Sequence, residues 1–189
     1  KQILWQRLKL FIETYYGSSN KKLIKEVSYK VITANPTNNC IFKSKSKDWQ
    51  KLPKEKSLFY AKKHCGLPIG NLTSQVFANF YMNSFDHFVK SELGIKYYGR
   101  YVDDFYIVES NKSRLLDHRK KIYDYLDSKL NLRVHPRKEV LQHYSKGISF
   151  LGSIILPGRR YTGKRLKGNF YRALQRQNKM VANKKPTQE

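Results

Sequence analysis

Acid is what this sequence is short of. Of its 189 residues 14 are Asp or Glu, against 38 Lys and Arg, which leaves a formal net charge of +24. Such a surface repels cationic partners and attracts polyanions, nucleic acid foremost among them. Cysteine is nearly missing too. Cys40 and Cys65 are the whole supply, which excludes a disulfide framework and fits a reducing compartment, the cytoplasm. There is no run of the ~20 apolar residues that a membrane helix needs, and no signal peptide. With the basic residues widely spread, a membrane is not an expected partner. His64, Cys65 and His87 lack the spacing of a zinc finger, so they point to packing or solvent and not to metal. His118, His135 and His143 read as surface residues or phosphate contacts.

What is present argues for a folded domain. Apolar residues make up 40% and aromatic residues 14% of the chain, which excludes general disorder and a histone-like tail. The charge is uneven. Between Glu139 and Glu189 there is no acid, but eleven Lys and Arg, from Lys146 to Lys185. The last quarter is therefore expected to be a cationic surface. The sequence opens at Lys1 rather than Met and reads as helix from residue 2, so it is expected to be a piece of a longer protein.

Hydrophobic periodicity predicts a helix over 2–16, with Leu4, Leu8, Phe11, Ile12 and Tyr15 on one face. A break follows at 17–20, and then a second helix over 21–33 with Leu23, Ile24, Val27 and Val31 inward. Residues 35–56, Lys-rich and holding Pro36 and Pro53, read as a loop or small hairpin in which KSKSK at 43–47 is a solvated run. A long helix over 72–92 has Val76, Phe77, Phe80, Ser84 and Phe88 on its apolar face and ends at Gly94. Residues 95–109 have the composition of two strands joined by a tight turn at Val102–Asp104. A helix over 112–130, capped by Ser110 or Asn111, buries Leu116, Tyr123, Leu126 and Leu130. Strands over 138–143 and 147–156, closed by Pro157-Gly158, precede a helix over 165–182. That helix puts Leu166, Phe170, Leu174 and Val181 on one side and Arg165, Arg172, Arg176 and Lys179 on the other. Trp5 and Trp49 read as packing residues. The order of elements predicts an α+β fold, an antiparallel sheet packed on helices.

Two stretches carry chemistry. YVDD at 101–104 puts adjacent carboxylates at the end of a hairpin, with Arg100 the obvious local basic partner. Asp103 and Asp104 are hard oxygen ligands suited to Mg²⁺, and a bound ion relieves their mutual repulsion. Phosphoryl transfer commonly uses two such ions. The plainer reading is an ordinary surface turn, where Asp is common. GLPIGNLTSQ at 66–75 is a glycine turn that opens the long helix.

Taken with GISFLG at 147–152, these stretches resemble the reverse transcriptases, whose glycine–serine turn, Tyr-x-Asp-Asp hairpin, lysine-bearing segment and Phe-Leu-Gly hairpin come in this order. The resemblance implies a right-hand polymerase, with residues 1–156 as palm and lower fingers and 157–189 as the start of a thumb. It implies that Asp103 and Asp104 are catalytic carboxylates of a two-Mg²⁺ site. Lys138 would assist the leaving pyrophosphate. Ile69, Gly70, Asn71, Ser74, Gln75 and Tyr101 would contact nucleotide or template. Phe150, Leu151 and Gly152 would grip the primer, and Arg165, Arg172, Arg176 and Lys179 would follow the nucleic-acid backbone. Implied partners are an RNA template, a DNA or RNA primer and dNTPs.

Ile69 and Gln75 stand where most of these enzymes have Gln and Pro. Together with Trp49, Leu52-Pro53 and Lys56–Phe59, they resemble the reverse transcriptases of diversity-generating retroelements, encoded by bacteria or phages. These copy a template RNA with errors at adenines and imply a small basic accessory protein. One part of the family pattern is not met. The first metal-binding Asp belongs on a strand upstream of GLPIGN, and Asp48, in the Lys-rich loop, is the sole Asp before residue 75. That Asp is expected shortly before Lys1, and this chain alone is expected to be inactive. The other readings are a catalytically silent nucleic-acid-binding module on the same fold, an enzyme of retron or group II intron type, and a basic scaffold for a protein partner.

Overall fold

Apolar residues spaced four apart lie in rows along a helix, and a helix packed along one seam buries one row. This rule governs the arrangement seen in the computed structural model, which describes residues 1–38, 40–41, 43, 49, 52–54, 57–68 and 70–183. The chain forms two compact units, Lys1–Arg133 and Val134–Glu189.

In the first unit, α1 (Gln2–Tyr15) and α2 (Lys21–Thr33) pack together. α1 buries Leu4 and Ile12, whereas Phe11 and Tyr15, expected inward, are exposed. α2 carries two adjacent rows with apolar residues, 23-27-31 and 24-28-32, the second interrupted by Ser28. The second faces inward: Ile32 is fully buried and Ile24 half-buried, while Leu23, Val27 and Val31 stay exposed. Periodicity identified the helix but not which row meets its neighbour.

α3 (Leu72–His87) continues through a π-helical turn, Phe88–Glu92, and the chain reverses at Gly94 with φ +63°. Its hub is Phe85, which the periodicity did not single out; the ring is fully buried and meets Phe105 edge-on at 5.1 Å. Val76, expected inward, is exposed. Arg7 of α1 ties itself to α3 by donating from Nη1 to the Tyr81 carbonyl and the Ser84 hydroxyl.

β1 (Tyr97–Tyr101) and β2 (Asp104–Val108) form an antiparallel hairpin in the register Tyr101↔Asp104. The loop is thus two residues, Val102-Asp103, and Asp104 already belongs to β2. α4 (Lys112–Leu130) starts at Asn111, whose side chain accepts from the Arg114 N–H, and ends on Asn131 in the left-handed region. Its buried row is His118, Ile122, Leu126 and Leu130, whereas Leu116 is exposed. His118 is therefore no surface residue. It occupies a core position, and neither ring nitrogen has a hydrogen-bond partner among the described residues. α4 is held to α3 by Tyr125, which donates to the Ser84 carbonyl and stacks on Phe88 at 4.1 Å, and by Tyr81, which donates to the Leu130 carbonyl.

In the second unit residues 138–143 form no strand. The chain turns just before, over 135–138, with the Lys138 N–H on the His135 carbonyl and Pro136 inside the turn, and KEVLQH has only Val140 as a β-branched residue to favour a strand. The expected strand 147–156 is two strands, β3 (Ile148–Phe150) and β4 (Ser153–Leu156), and a third, β5 (Arg159–Thr162), pairs with β4 across the Pro157-Gly158 turn. α5 (Lys164–Ala182) follows. It buries no residue, so Leu166, Phe170, Leu174 and Val181 lie exposed on it.

The whole is a mixed α+β structure with two small antiparallel sheets. Among the described residues no helix is long and apolar enough to cross a membrane. Trp5 packs edge-on to Tyr29 at 5.1 Å, and Trp49 lies near Phe59. Asp48, Lys56, residues 44–47 of the KSKSK run, Ile69, Lys184 and Lys185 lie outside the described residues.

Candidate active site

The β1–β2 hairpin has two unlike faces. Tyr98, Arg100, Phe105 and Ile107 turn toward α3, while Tyr97, Tyr101, Asp104 and Tyr106 are exposed on the other face. Tyr101 and Asp104 are direct cross-strand partners on that open face, and Asp103 stands beside them in the loop. Gly99 sits opposite Tyr106, and a Cβ there would come within 2.7 Å of the Tyr106 ring. Only glycine lets the tyrosine lie flat across the strand.

The loop itself is strained. Val102 has φ +57°, and Asp103 is not in that region. Two-residue loops with only their first residue at positive φ favour glycine there, and a β-branched residue is the least suited. Such a conformation costs about 1–3 kcal/mol and persists where its surroundings over-determine it. Arg100 supplies that support by donating from Nη1 to the Val102 carbonyl at 2.6 Å. A charge-assisted hydrogen bond contributes about 1.5–3 kcal/mol, enough to offset the strain.

In sequence Arg100 is the obvious basic partner of the two carboxylates. Its charge is instead engaged by Asp86 on α3, through Nε to Oδ1 at 2.8 Å and Nη2 to Oδ2 at 2.6 Å. Asn79 accepts a further bond from Nη1 at 3.1 Å, and the Tyr98 hydroxyl donates to Asp86 at 2.6 Å. Burial alone would raise the Asp86 pKa, but the hydrogen bonds from Arg100 and Tyr98 outweigh it and hold the carboxyl below its usual range. Burial, and then the Asp86 carboxylate, push the Tyr98 hydroxyl well above the ordinary tyrosine value. Asp86, Asn79 and Tyr98 were not picked out from the sequence. The available signal was the period-two pair Tyr98/Arg100 on an inward face, which demands a buried acid nearby.

The glycine turn lies in the same unit. Gly70 has φ +100°, and among the described residues nothing lies within 4 Å of where a Cβ would sit, so backbone conformation and not crowding calls for glycine. Asn71 is the N-cap residue of α3, but its side chain caps nothing; its carbonyl accepts from the Ser74 and Gln75 N–H groups. Ser74 and Gln75 thus sit in the first helical turn, not at its start. A hollow of about 210 Å³ opens here, lined by Val31, Pro36, Leu67, Asn71, Ser74 and Phe77. Gln75 is exposed and does not line it. Gln75 and Asn79 are one helical turn apart, ~6 Å along the axis. Through Asn79 and Arg100, the middle of α3, one turn after Gln75, is linked to the loop that carries Asp103.

The carboxylates of Asp103 and Asp104 are the right donors for a hard divalent cation. Among the described residues, however, no group of three or more His, Cys, Asp or Glu is placed to hold one. The donor set fits in kind and is incomplete in number.

The remaining expected residues lie in the second unit. Lys138 is exposed in its turn. Phe150, Leu151 and Gly152 form the tip of the β3–β4 hairpin, whose loop residues Leu151 and Gly152 have φ +51° and +78°. This tip is joined to α5: the Gly163 N–H donates to the Gly152 carbonyl at 2.8 Å. A Cβ on Gly163 would lie 2.6 Å from that oxygen. Arg165, Arg172, Arg176 and Lys179 are all exposed along α5, and Arg172 leans back on the Gly168 carbonyl and the Asn169 side chain.

Comparison with curated proteins finds no match. The family profile for Reverse transcriptase (RNA-dependent DNA polymerase) matches residues 22–155. That span takes in the glycine turn, the carboxylate hairpin and the β3–β4 hairpin, and the chain belongs to the reverse transcriptase family.

Proposed function

We propose that this chain is the palm-side part of an RNA-directed DNA polymerase of the diversity-generating retroelement type. The observation that carries the reading is the presentation of Asp103 and Asp104 beside Tyr101 at a clamped hairpin tip, linked through Arg100 to Asn79 in the middle of α3. Family membership supports the general activity. The retroelement type rests on Ile69 and Gln75 in IGNLTSQ.

In this reading Asp103 and Asp104 hold Mg²⁺, together with a carboxylate from outside the described residues. The ions, when bound, supply the positive charge that phosphoryl transfer needs. Tyr101 packs near the primer–template. Gly70 admits close approach of the nucleotide and its template base, and Asn71, Ser74 and Gln75 contact them. Lys138 serves the leaving pyrophosphate. Phe150, Leu151 and Gly152 hold the primer, and Arg165, Arg172, Arg176 and Lys179 follow phosphates without reading sequence. Residues 1–156 form palm and lower fingers, and 157–189 begin the thumb. The enzyme works in the cytoplasm of a bacterial or phage-infected cell, with a small basic accessory protein.

Primer extension on an RNA template with Mg²⁺ tests this. The chain alone is expected to synthesise nothing; robust synthesis would overturn the incomplete site. A longer polymerase carrying this chain is expected to make cDNA with errors at template adenines and to lose synthesis on Asp103→Ala. Faithful copying of adenines would remove the retroelement assignment and leave the polymerase.

A further inference from the structure

We infer that Arg100 is a positioning residue for the carboxylate pair, acting through the backbone of Val102 and itself held by Asp86. The inference rests on the reading of Asp103 and Asp104 as metal ligands.

Each of the three nitrogens of the Arg100 guanidinium is engaged away from the carboxylates. Nε and Nη2 are fixed by the two oxygens of Asp86, and Nη1 by Asn79 and the Val102 carbonyl. The side chain is 10% exposed and its Asp86 partner 29%. This forked pairing fixes the plane of the guanidinium as well as its position, which a lysine ammonium cannot do. The one backbone group that plane holds belongs to the strained residue of the loop. Release of that bond lets Val102 relax toward negative φ. Such a change at 102 turns the following peptide, and with it the direction in which Asp103 and Asp104 leave the backbone. An ion pair that merely joined α3 to the hairpin would not need to reach the loop carbonyl.

The distinction can be tested by rescue. Glycine adopts positive φ without strain, so Val102→Gly should remove the loop's need for Arg100. A purely structural Arg100–Asp86 pair would be indifferent to residue 102. The experiment uses this chain and two readouts: the NMR backbone shifts of residue 102 with the cross-strand contact from Tyr101 to Asp104, and Mn²⁺ affinity from line broadening at the Asp103 and Asp104 amides. Arg100→Gln is expected to abolish the left-handed signature of Val102 and weaken Mn²⁺ about tenfold, a typical effect of losing a group that orients a ligand. Arg100→Lys, which can keep the charge but not the fork, should behave likewise, and it serves if Arg100→Gln does not fold. Arg100→Gln combined with Val102→Gly should restore the cross-strand contact and bring the affinity within about twofold of Val102→Gly alone.

Retention of the left-handed shifts in Arg100→Gln or Arg100→Lys would overturn the inference. So would failure of Val102→Gly to rescue. If the wild-type chain shows no Mn²⁺ broadening at Asp103 while the backbone readout responds as expected, Arg100 still positions the tip, and what falls is the reading that Asp103 and Asp104 hold an ion without a further carboxylate.

Discussion

The two units solve the same problem, a two-residue hairpin loop, in opposite ways. In β3–β4 both loop residues, Leu151 and Gly152, take positive φ, a combination that matches the natural twist of paired strands, with glycine at the second place. In β1–β2 only Val102 does so, in a β-branched residue, and the loop is held from outside by Arg100. The surroundings differ in the same sense. All the buried apolar side chains of the described residues, from Leu4 to Leu130, lie in the first unit. The second unit relies on glycines, turns and strand pairing. The strained tip is the one placed where a core can hold it.

The contrast can be broken hardest at Phe85. Phe85→Ala should destabilise the first unit by about 3–5 kcal/mol, as removal of a buried ring does. Residue-resolved hydrogen exchange should show protection lost from α3, α4 and β1–β2 but kept in β3–β5; equal loss in both would mean that the units are not independently held. Gly163→Ala is the counterpart in the second unit. The new Cβ meets a backbone oxygen, which cannot swing aside, and a cost of about 1–3 kcal/mol is expected, read as lost protection of the Gly163 and Leu166 amides.

Acid should separate the units more gently. Asp86 has a lowered pKa in the fold, so its contribution is complete above the unfolded value of about 4 and is lost as pH falls through the folded value, below that. Tyr98 is raised, so its contribution is complete below about 10 and is lost at higher pH. The Tyr101–Asp104 contact should therefore hold constant between these limits and weaken beyond each. A pH series of the hairpin cross-peaks checks it, and a change near neutral pH would contradict the assignment. The smallest effect is expected from matched glycine substitutions. Val102→Gly removes about 1–2 kcal/mol of left-handed strain against about 0.5–1 kcal/mol of added chain entropy, so thermal denaturation should show a slight gain. Leu151→Gly, with a less hindered side chain, should gain less.

Much of the fold was legible because helices declare themselves by period. The bounds of α1, α2, α4 and α5 fall within a residue or two of expectation. Which row each helix buries was not legible: in α2 the rows 23-27-31 and 24-28-32 are both plausible, and only the neighbour decides. His118 stayed hidden for the same reason, since a histidine in the buried row of α4 looks polar in sequence. The strand expected over 138–143 failed because the chain turns at Pro136 and KEVLQH offers little apolar or β-branched composition, and β5 was missed because RRYT offers no alternation. At the candidate site the ends were readable and the support was not. Tyr101, Asp103 and Asp104 announced themselves as a motif. Asp86 and Asn79 are unremarked polar residues on a helix, and their role appears only when the hairpin is folded against α3.

The Val102 clamp also bears on what can be moved between proteins. The β3–β4 tip carries its conformation in its own two residues and should survive transfer to another hairpin of the same register. YVDD should not. Cut from α3, the tetrapeptide keeps its letters and loses its aim, because the groups that set it lie 14 and 21 residues upstream of Arg100. The smallest transplantable piece is the second half of α3 together with the hairpin, from Asn79 to Val108.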